Sequence, residues 1–257
     1  MKIIAVIQAR IASTRLPEKV LMNLSGHPLL YHVVERARHS KRIDNVIIAI
    51  PNSIPNQKIS SFAKNYNIPV FTGDENNVLD RFVNTAKQFE PDLIVRLTGD
   101  NPLVDPTIID SIIELHINHK ADYTSNAVKR TNPRGLDVEV IQFKTLEKIN
   151  GMSLEPQHKE HVAPFLYENP DLFHLQHFIA KGILRRPDLR FTVDTVQDWE
   201  LMSEIYRRFY IPGKIIEVKD VIRWIDNNPR WLGINNQSEE DQVSSNANQG
   251  IRQSKIS

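Results

Sequence analysis

The sequence predicts an α/β fold: a Rossmann-like, doubly wound, mostly parallel sheet. Three observations predict it. Short apolar runs recur at residues 2–7, 46–50 and 93–97, each the length of a strand buried on both faces. Between them, apolar residues return at helical spacing, so strands alternate with helices as they do in a sheet covered on both sides. The first run also feeds a loop dense in cations, at the carboxyl end of a strand, where open α/β sheets bind ligands.

The elements follow in order. Pro28 suits a helix first turn, and Leu29, Leu30, Val33, Val34 and Ala37 give that helix its apolar stripe. The second run stops at Pro51, Ile59, Phe62, Ala63 and Tyr66 mark the next helix, and Val70, Phe71 and Thr72 a third strand. Val78, Leu79, Phe82, Val83 and Ala86 repeat the helical period before the fourth strand. Asp105 and Pro106 open a helix that carries Ile108, Ile109, Ile112 and Ile113. From Ala121 the rhythm changes. Strands are expected at 123–126 and 138–143 around a polar loop, helices at 145–150 and 157–168, an extended stretch at 173–180 and a short strand at 190–193. Thr195 and Asp198 form a capping-box-like start to a helix ending near Phe209, and a last helix spans 218–226. Residues 236–257 are polar and nearly without large apolar side chains, and read as a disordered tail after one domain at 1–235.

Composition narrows the function. The chain has 257 residues and a formal net charge of +1, and its basic residues do not run in blocks, so nothing demands nucleic acid or anionic lipid. With no cysteine there is no thiolate nucleophile and no Cys-based zinc site. The opening apolar run breaks at Gln8 and Arg10, too soon for a signal peptide, and no run approaches the roughly 20 residues of a membrane span. The expected setting is cytoplasmic. His158/His161 and His116/His119 have helical spacing but no HExxH pattern, which argues against zinc.

The loop at residues 8–21 reads QARIASTRLPEKVL and brings Arg10, Arg15 and Lys19 together, with Ser13 and Thr14 between the arginines. Fixed cations, hydroxyls and loop N–H groups suit a polyanion such as a nucleoside triphosphate. Neither GxGxxG nor GxxxxGK[ST] is present, so neither the dinucleotide fingerprint nor a Walker loop explains it. In RLTGDNPLVDP (96–106), Gly99 permits a sharp turn that projects Asp100 into the crevice, where one or two carboxylates suit Mg²⁺. A turn or N-cap aspartate is the alternative there.

QARIASTRLPEKVLMNLSGHPLL resembles the signature of the sugar cytidylyltransferases that activate 3-deoxy-octulosonate and acylneuraminate, nearest the spore coat polysaccharide branch. The family has Gly where this chain has Glu18, and often Lys at His27. The resemblance implies a fold of the nucleotide-diphospho-sugar transferase type, with a nucleotide part at about 1–120 and a sugar part at about 121–235. It also implies CTP and a small sugar as partners and Mg²⁺ as cofactor, and relatives often pair as homodimers. GDNPL matches the family's GDxPL motif, which makes Asp100 a catalytic and metal-binding candidate beside Arg10, Arg15 and Lys19. TVDTVQDWEL is similar to the late VDTPEDLE motif and makes Asp194 the second metal carboxylate, with helix capping as its competing role. FTGDENNVLDRF (71–82) resembles the stretch around base and ribose, so Ala9, Ser13, Thr72, Asp80, Arg81 and Thr98 complete the nucleotide set. PRGLDVEV and KEHVAPFLYENP resemble stretches that shape the sugar pocket and supply Asp137, Glu139, Glu160 and His161. The implied reaction is attack of a sugar hydroxyl on the α-phosphorus of CTP, with release of pyrophosphate. A glycosyltransferase of similar sheet would ordinarily carry DxD, which is absent here; a non-catalytic binding relative and a transferase using another base remain alternatives.

Overall fold

A computed structural model describes residues 1–235, so the expected tail lies outside the described residues. Strand β1 (Ile3–Gln8) leads through the cation-rich loop to a short hairpin, β2 (Asn23–Leu24) and β3 (His27–Pro28). Next come α1 (Leu29–Arg38), β4 (Asn45–Pro51), α2 (Gln57–Asn65), β5 (Val70–Gly73), α3 (Val78–Phe89), β6 (Leu93–Thr98) and α4 (Pro106–His119). The second half holds β7 (Tyr123–Ser125), β8 (Glu139–Gln142), α5 (Phe143–Asn150), α6 (Pro156–His161), α7 (Pro164–Glu168), β9 (Leu175–His177), α8 (Val196–Phe209) and α9 (Val218–Asp226).

The main sheet runs β5-β4-β1-β6-β8-β7-β9. Its first four strands are parallel, β8 alone is reversed, and β7 and β9 are parallel to each other. The α/β, mostly parallel reading therefore holds. β1 explains why the register cannot slip. Ile3, Ala5 and Ile7 face one core with α1 and α4, while Ile4 and Val6 face the other with α3 and α5. A shift by one residue would exchange the two sets, and each fully buried Ile or Val is worth about 1.5–3 kcal/mol. β1 also lies between β4 and β6, so the loop that follows it leaves from the middle of the sheet.

Four boundaries differ from expectation. Pro28 lies one residue early, as the N-cap of α1 with φ −56° and ψ 146°, because it pairs with Asn23 in a hairpin whose turn residues, Ser25 and Gly26, both have positive φ. The helix expected at 157–168 is two short ones. Pro164 cannot continue a helix, and Val162 (φ 67°, ψ −58°) makes a γ-turn in which the Ala163 N–H donates to the His161 carbonyl at 2.8 Å. Residues 190–193 form a single bridge, Arg134 to Arg190, rather than a strand. The extended stretch at 173–180 pairs only over β9. Asp105 caps α4 by accepting from the Thr107 and Ile108 N–H groups, and Thr195 and Asp198 form a full capping box on α8.

Candidate functional site

β1 and β6 are neighbours in register, Gln8 opposite Thr98, so the loops after them open side by side at the carboxyl edge. Gly99 makes this close approach possible: a Cβ there would sit 3.1 Å from the Ala9 Cβ and 3.2 Å from the Gln8 carbonyl oxygen. Asp100 follows, with its Oδ1 accepting from Thr98 Oγ1 at 2.7 Å. Residues 189–193 reach the same edge from the far end of the chain. The Val193 N–H donates to the Asp100 carbonyl at 2.9 Å, which sets Asp194 beside Asp100.

Lys19 lies between the two carboxylates. Its Nζ donates to Asp100 Oδ2 at 2.7 Å and to Asp194 Oδ1 at 2.6 Å. The two oxygens therefore fall well inside the roughly 8 Å that a pair of carboxylates sharing one ion can span. Arg15 approaches Asp194 Oδ1 at 3.6 Å. Asp194 Oδ2 accepts from Arg190 Nη2 at 2.6 Å, and Arg190 Nε donates to the fully buried Asp198 at 3.0 Å. Burial alone would lower the Lys19 pKa, but Asp100 and Asp194 outweigh that penalty and leave it raised. For Asp194, burial pushes upward, while Lys19, Arg190 and Arg15 overcome it and hold the carboxyl below its ordinary value.

Asp194 does not cap α8; Thr195 does, and the Asp194 side chain is left for Lys19 and Arg190. Glu18 is harmless where it stands. Its φ of 56° is a left-handed conformation that favours Gly, the residue found there in the family, and its carboxylate turns outward to Lys58 at 2.5 Å. Ser13 is half-buried in the loop and Ala9 is buried, its N–H donating to the Ala49 carbonyl at 3.2 Å. Arg10 and Thr72 are exposed. Arg10 is not on the carboxylate cluster with Lys19 and Arg15; it stands near enough to Arg81 to act on that side chain's pKa.

Other expected contacts are placed differently. Asp80 accepts from Asn84 at 2.7 Å and from Asn150 at 3.3 Å, so its carboxylate joins α3 to α5. Arg81 is buried and donates to the Asp74 carbonyl at 2.5 Å, which makes it a brace for the 74–77 turn. Glu139 is only 7% exposed, and both its oxygens are occupied, one by Tyr123 OH at 2.5 Å and the other by Arg96 Nη1. Such a carboxylate positions Arg96, and each of its oxygens already accepts one hydrogen bond. Asp137 is held by Arg130 at 2.5 Å, while Glu160 and His161 are exposed at the end of α6, against the strained turn at Val162.

The sequence marks Asp198 only as a capping-box residue, and it does not mark Arg190 or Asn235 as part of the site. Asn235 is buried, and its amide donates to the Arg190 carbonyl at 3.1 Å and to Asp198 at 2.8 Å. Arg190 and Asp198 stand four residues on either side of Asp194, a spacing that hints at mutual contact; nothing in the sequence marks Asn235. Gly135 ties the second half to this cluster. Its φ is 96°, and a Cβ there would lie 2.4 Å from the Thr192 nitrogen, so only glycine lets the 133–136 loop pack on the segment that carries Asp194.

The donor set fits Mg²⁺, a hard cation that takes one or two carboxylates and completes its shell with phosphate oxygens and water. Among the described residues no group of three His, Cys, Asp or Glu side chains could form an all-protein metal cage. Nor does any described helix have the length and apolarity to cross a membrane.

A family model described as cytidylyltransferase matches residues 4–214. The spore coat polysaccharide biosynthesis protein SpsF of Bacillus subtilis is 38% identical over 213 residues, covering 80% of this chain and 87% of its own. The solved structure of a cytidylyltransferase from Leptospira borgpetersenii superposes with a TM-score of 0.85 at 31% identity, over 93% of this chain and 98% of that one. A CMP:2-keto-3-deoxy-manno-octonic acid synthetase solved in complex with CTP superposes with a TM-score of 0.59 at 18% identity, over 81% of this chain and 99% of that one, a likeness of fold.

Proposed function

The chain belongs to the cytidylyltransferase family, and from that premise we propose that it transfers CMP from CTP to a sugar acid of the octulosonate or nonulosonate type, with Mg²⁺, for surface polysaccharide synthesis. The observation that carries the reading is the Lys19 ammonium held between Asp100 and Asp194 at the carboxyl edge of the sheet. That position already accommodates positive charge between two carboxylates, and it lies beside a loop of cations. The CTP in the octonic acid synthetase complex and the polysaccharide role in the SpsF name support the choice of nucleotide and pathway class.

The geometry supports the following division of labour. Arg15 and Lys19 turn from Asp194 to the β- and γ-phosphates, with Arg10 at the exposed side of the loop, and they stabilise the pyrophosphate that leaves. Asp100 and Asp194 are then free to hold Mg²⁺, whose contribution is to neutralise charge at the α-phosphate. Thr98 and Arg190 keep the two carboxylates in place, each by a hydrogen bond on the oxygen that Lys19 does not use. The acceptor hydroxyl comes from the side of the 133–139 loop, near Asp137 and the Arg96–Glu139 pair.

Thermal melting with each nucleoside triphosphate plus Mg²⁺ tests the reading. A ligand at about 100 times its Kd stabilises a fold by about 2.7 kcal/mol, a clear melting shift. CTP is expected to give it, and pyrophosphate release to require an octulosonate-type acid. A shift with GTP or UTP and none with CTP overturns the cytidylyl assignment.

A further inference from the structure

A second cleft lies behind the loop that carries Asp100. Helices α1 and α8 and residues 213–216 line a small, half-open cleft. Its floor is His32, Arg36 and Tyr206, all buried; Tyr31, Tyr210 and Lys214 stand at its rim. Arg36 is 2% exposed and spends two nitrogens on backbone: Nε donates to the Val104 carbonyl at 2.6 Å and Nη1 to the Ile216 carbonyl at 2.9 Å. Its third nitrogen, Nη2, is buried and has no hydrogen-bond partner among the described residues. No carboxylate among the described residues bonds to this guanidinium. Asp105 and Glu217 act on it only through space, and Asp105 is spent on the N-cap of α4.

A guanidinium is charged at every physiological pH, so an unpartnered, buried one is a standing demand for an anion. The rest of the lining does not meet it. His32 donates Nε2 to the Leu24 carbonyl, and burial drives its pKa down to about 4, so the ring is neutral. The Tyr206 hydroxyl is committed to the Pro102 carbonyl at 2.6 Å, leaving its ring as a wall. Glu35, the carboxylate at the rim, is paired with Arg38 at 3.0 Å. We propose that this cleft is a second ligand pocket that takes a compact organic anion: one carboxylate or phosphate oxygen on Arg36 Nη2, a cyclic body against the Tyr31 and Tyr210 rings, and Lys214 at the mouth. Its occupant stands one hydrogen bond from the Asp100 loop, because Arg36 and Tyr206 hold the carbonyls of Val104 and Pro102.

The test titrates the ¹⁵N-labelled full chain with benzoate and, separately, with inorganic phosphate. The Tyr31, Tyr210 and Lys214 amides report on this cleft, and the Ser13 and Arg15 amides on the site at the front. The expected result is a saturable shift at the three rear amides, with a Kd of about 1 mM or tighter for one probe or both, and the probe that binds distinguishes a carboxylate from a phosphate ligand. Arg36→Met abolishes the shift. Should Arg36→Met fail to fold, Lys214→Glu, on an exposed loop, weakens binding by about tenfold, since it sets a negative charge at the mouth. No saturable shift at the rear amides with either probe means that the cleft takes no anion, and overturns the proposal. So does a shift confined to Ser13 and Arg15, or one that both variants leave unchanged. CTP binding at the front is measured separately, so neither result decides the cytidylyl reading.

Discussion

Lys19 and Arg36 are both nearly out of reach of solvent, at 8% and 2% exposure, yet opposite kinds of partner hold them. Lys19 sits between two carboxylates, and its pKa is raised despite burial. Arg36 has two carbonyl dipoles and, among the described residues, no bonded carboxylate, and burial lowers its pKa. The front of the molecule thus carries its own counter-ions and the back does not. Under the proposed function, the site that receives the triphosphate and the metal is internally neutral while it waits. Its charges are paired with one another, and ligand binding exchanges those pairs.

Breaking the front pair should give the largest effect. Asp194→Asn keeps size and removes charge, and about a 100-fold or greater loss of pyrophosphate release is expected, measured at saturating CTP. The sequence alone suggests that this change relieves carboxylate repulsion and leaves stability unchanged or slightly raised. The structure reverses that expectation, because Asp194 is what compensates Lys19 and Arg190. A loss of about 1–3 kcal/mol is expected for this partly exposed group, read by denaturant unfolding. The pH dependence has a definite sign. The folded carboxyl is held below its ordinary value of 3.8, so its stabilisation is present above about pH 4 and is lost as pH falls through the lower folded value. The wild type should lose stability through that acid limb, and Asp194→Asn should lose less.

A second variant sharpens the contrast between waiting and loaded states. With Lys19 between the carboxylates, each of their four oxygens already accepts a hydrogen bond, and under the proposed function a divalent cation takes the ammonium's place once the triphosphate draws it away. Lys19→Met should raise nucleotide-free Mn²⁺ affinity by about tenfold or more, as read by electron paramagnetic resonance, while weakening CTP binding. Equal Mn²⁺ affinity in wild type and variant would show that Lys19 does not guard the pair.

The smallest effect serves as a control within the same loop. Glu18→Gly relieves a left-handed backbone and gives up an exposed pair with Lys58, which is worth little. A stability gain of about 0.5–1 kcal/mol is expected, with CTP affinity unchanged. A loss of CTP affinity would make Glu18 part of the clamp.

Much of this was legible in the sequence. Apolar runs and helical spacing carry the parallel half of the sheet, because burial on both faces leaves a strong pattern. Lys19, Asp100 and Asp194 were marked by motif and by their places after strands. What the sequence hid is long-range and polar. Nothing local distinguishes a Glu139 that braces Arg96 from one that greets a sugar, nor an Asp80 that binds Asn150 from one facing a ribose. Asn235 is recruited only when the segment after α9 packs on Arg190. The split of the 157–168 helix was readable after all, since Pro164 forbids its continuation.

The closure of the 133–136 loop on residues 190–193, which needs Gly135, also sets the order in which the molecule becomes competent. The bond from Lys19 to Asp194 spans 175 residues, whereas the cation-rich loop and Asp100 lie in the first half of the chain. A polypeptide emerging from the ribosome therefore completes the cation-rich loop and Asp100 long before the second carboxylate exists. Until Asp194 docks, Lys19 has one counter-ion instead of two, and the nascent site is an unbalanced cation cluster. Competence for transfer waits on this long-range contact, so activity doubles as a readout of its formation.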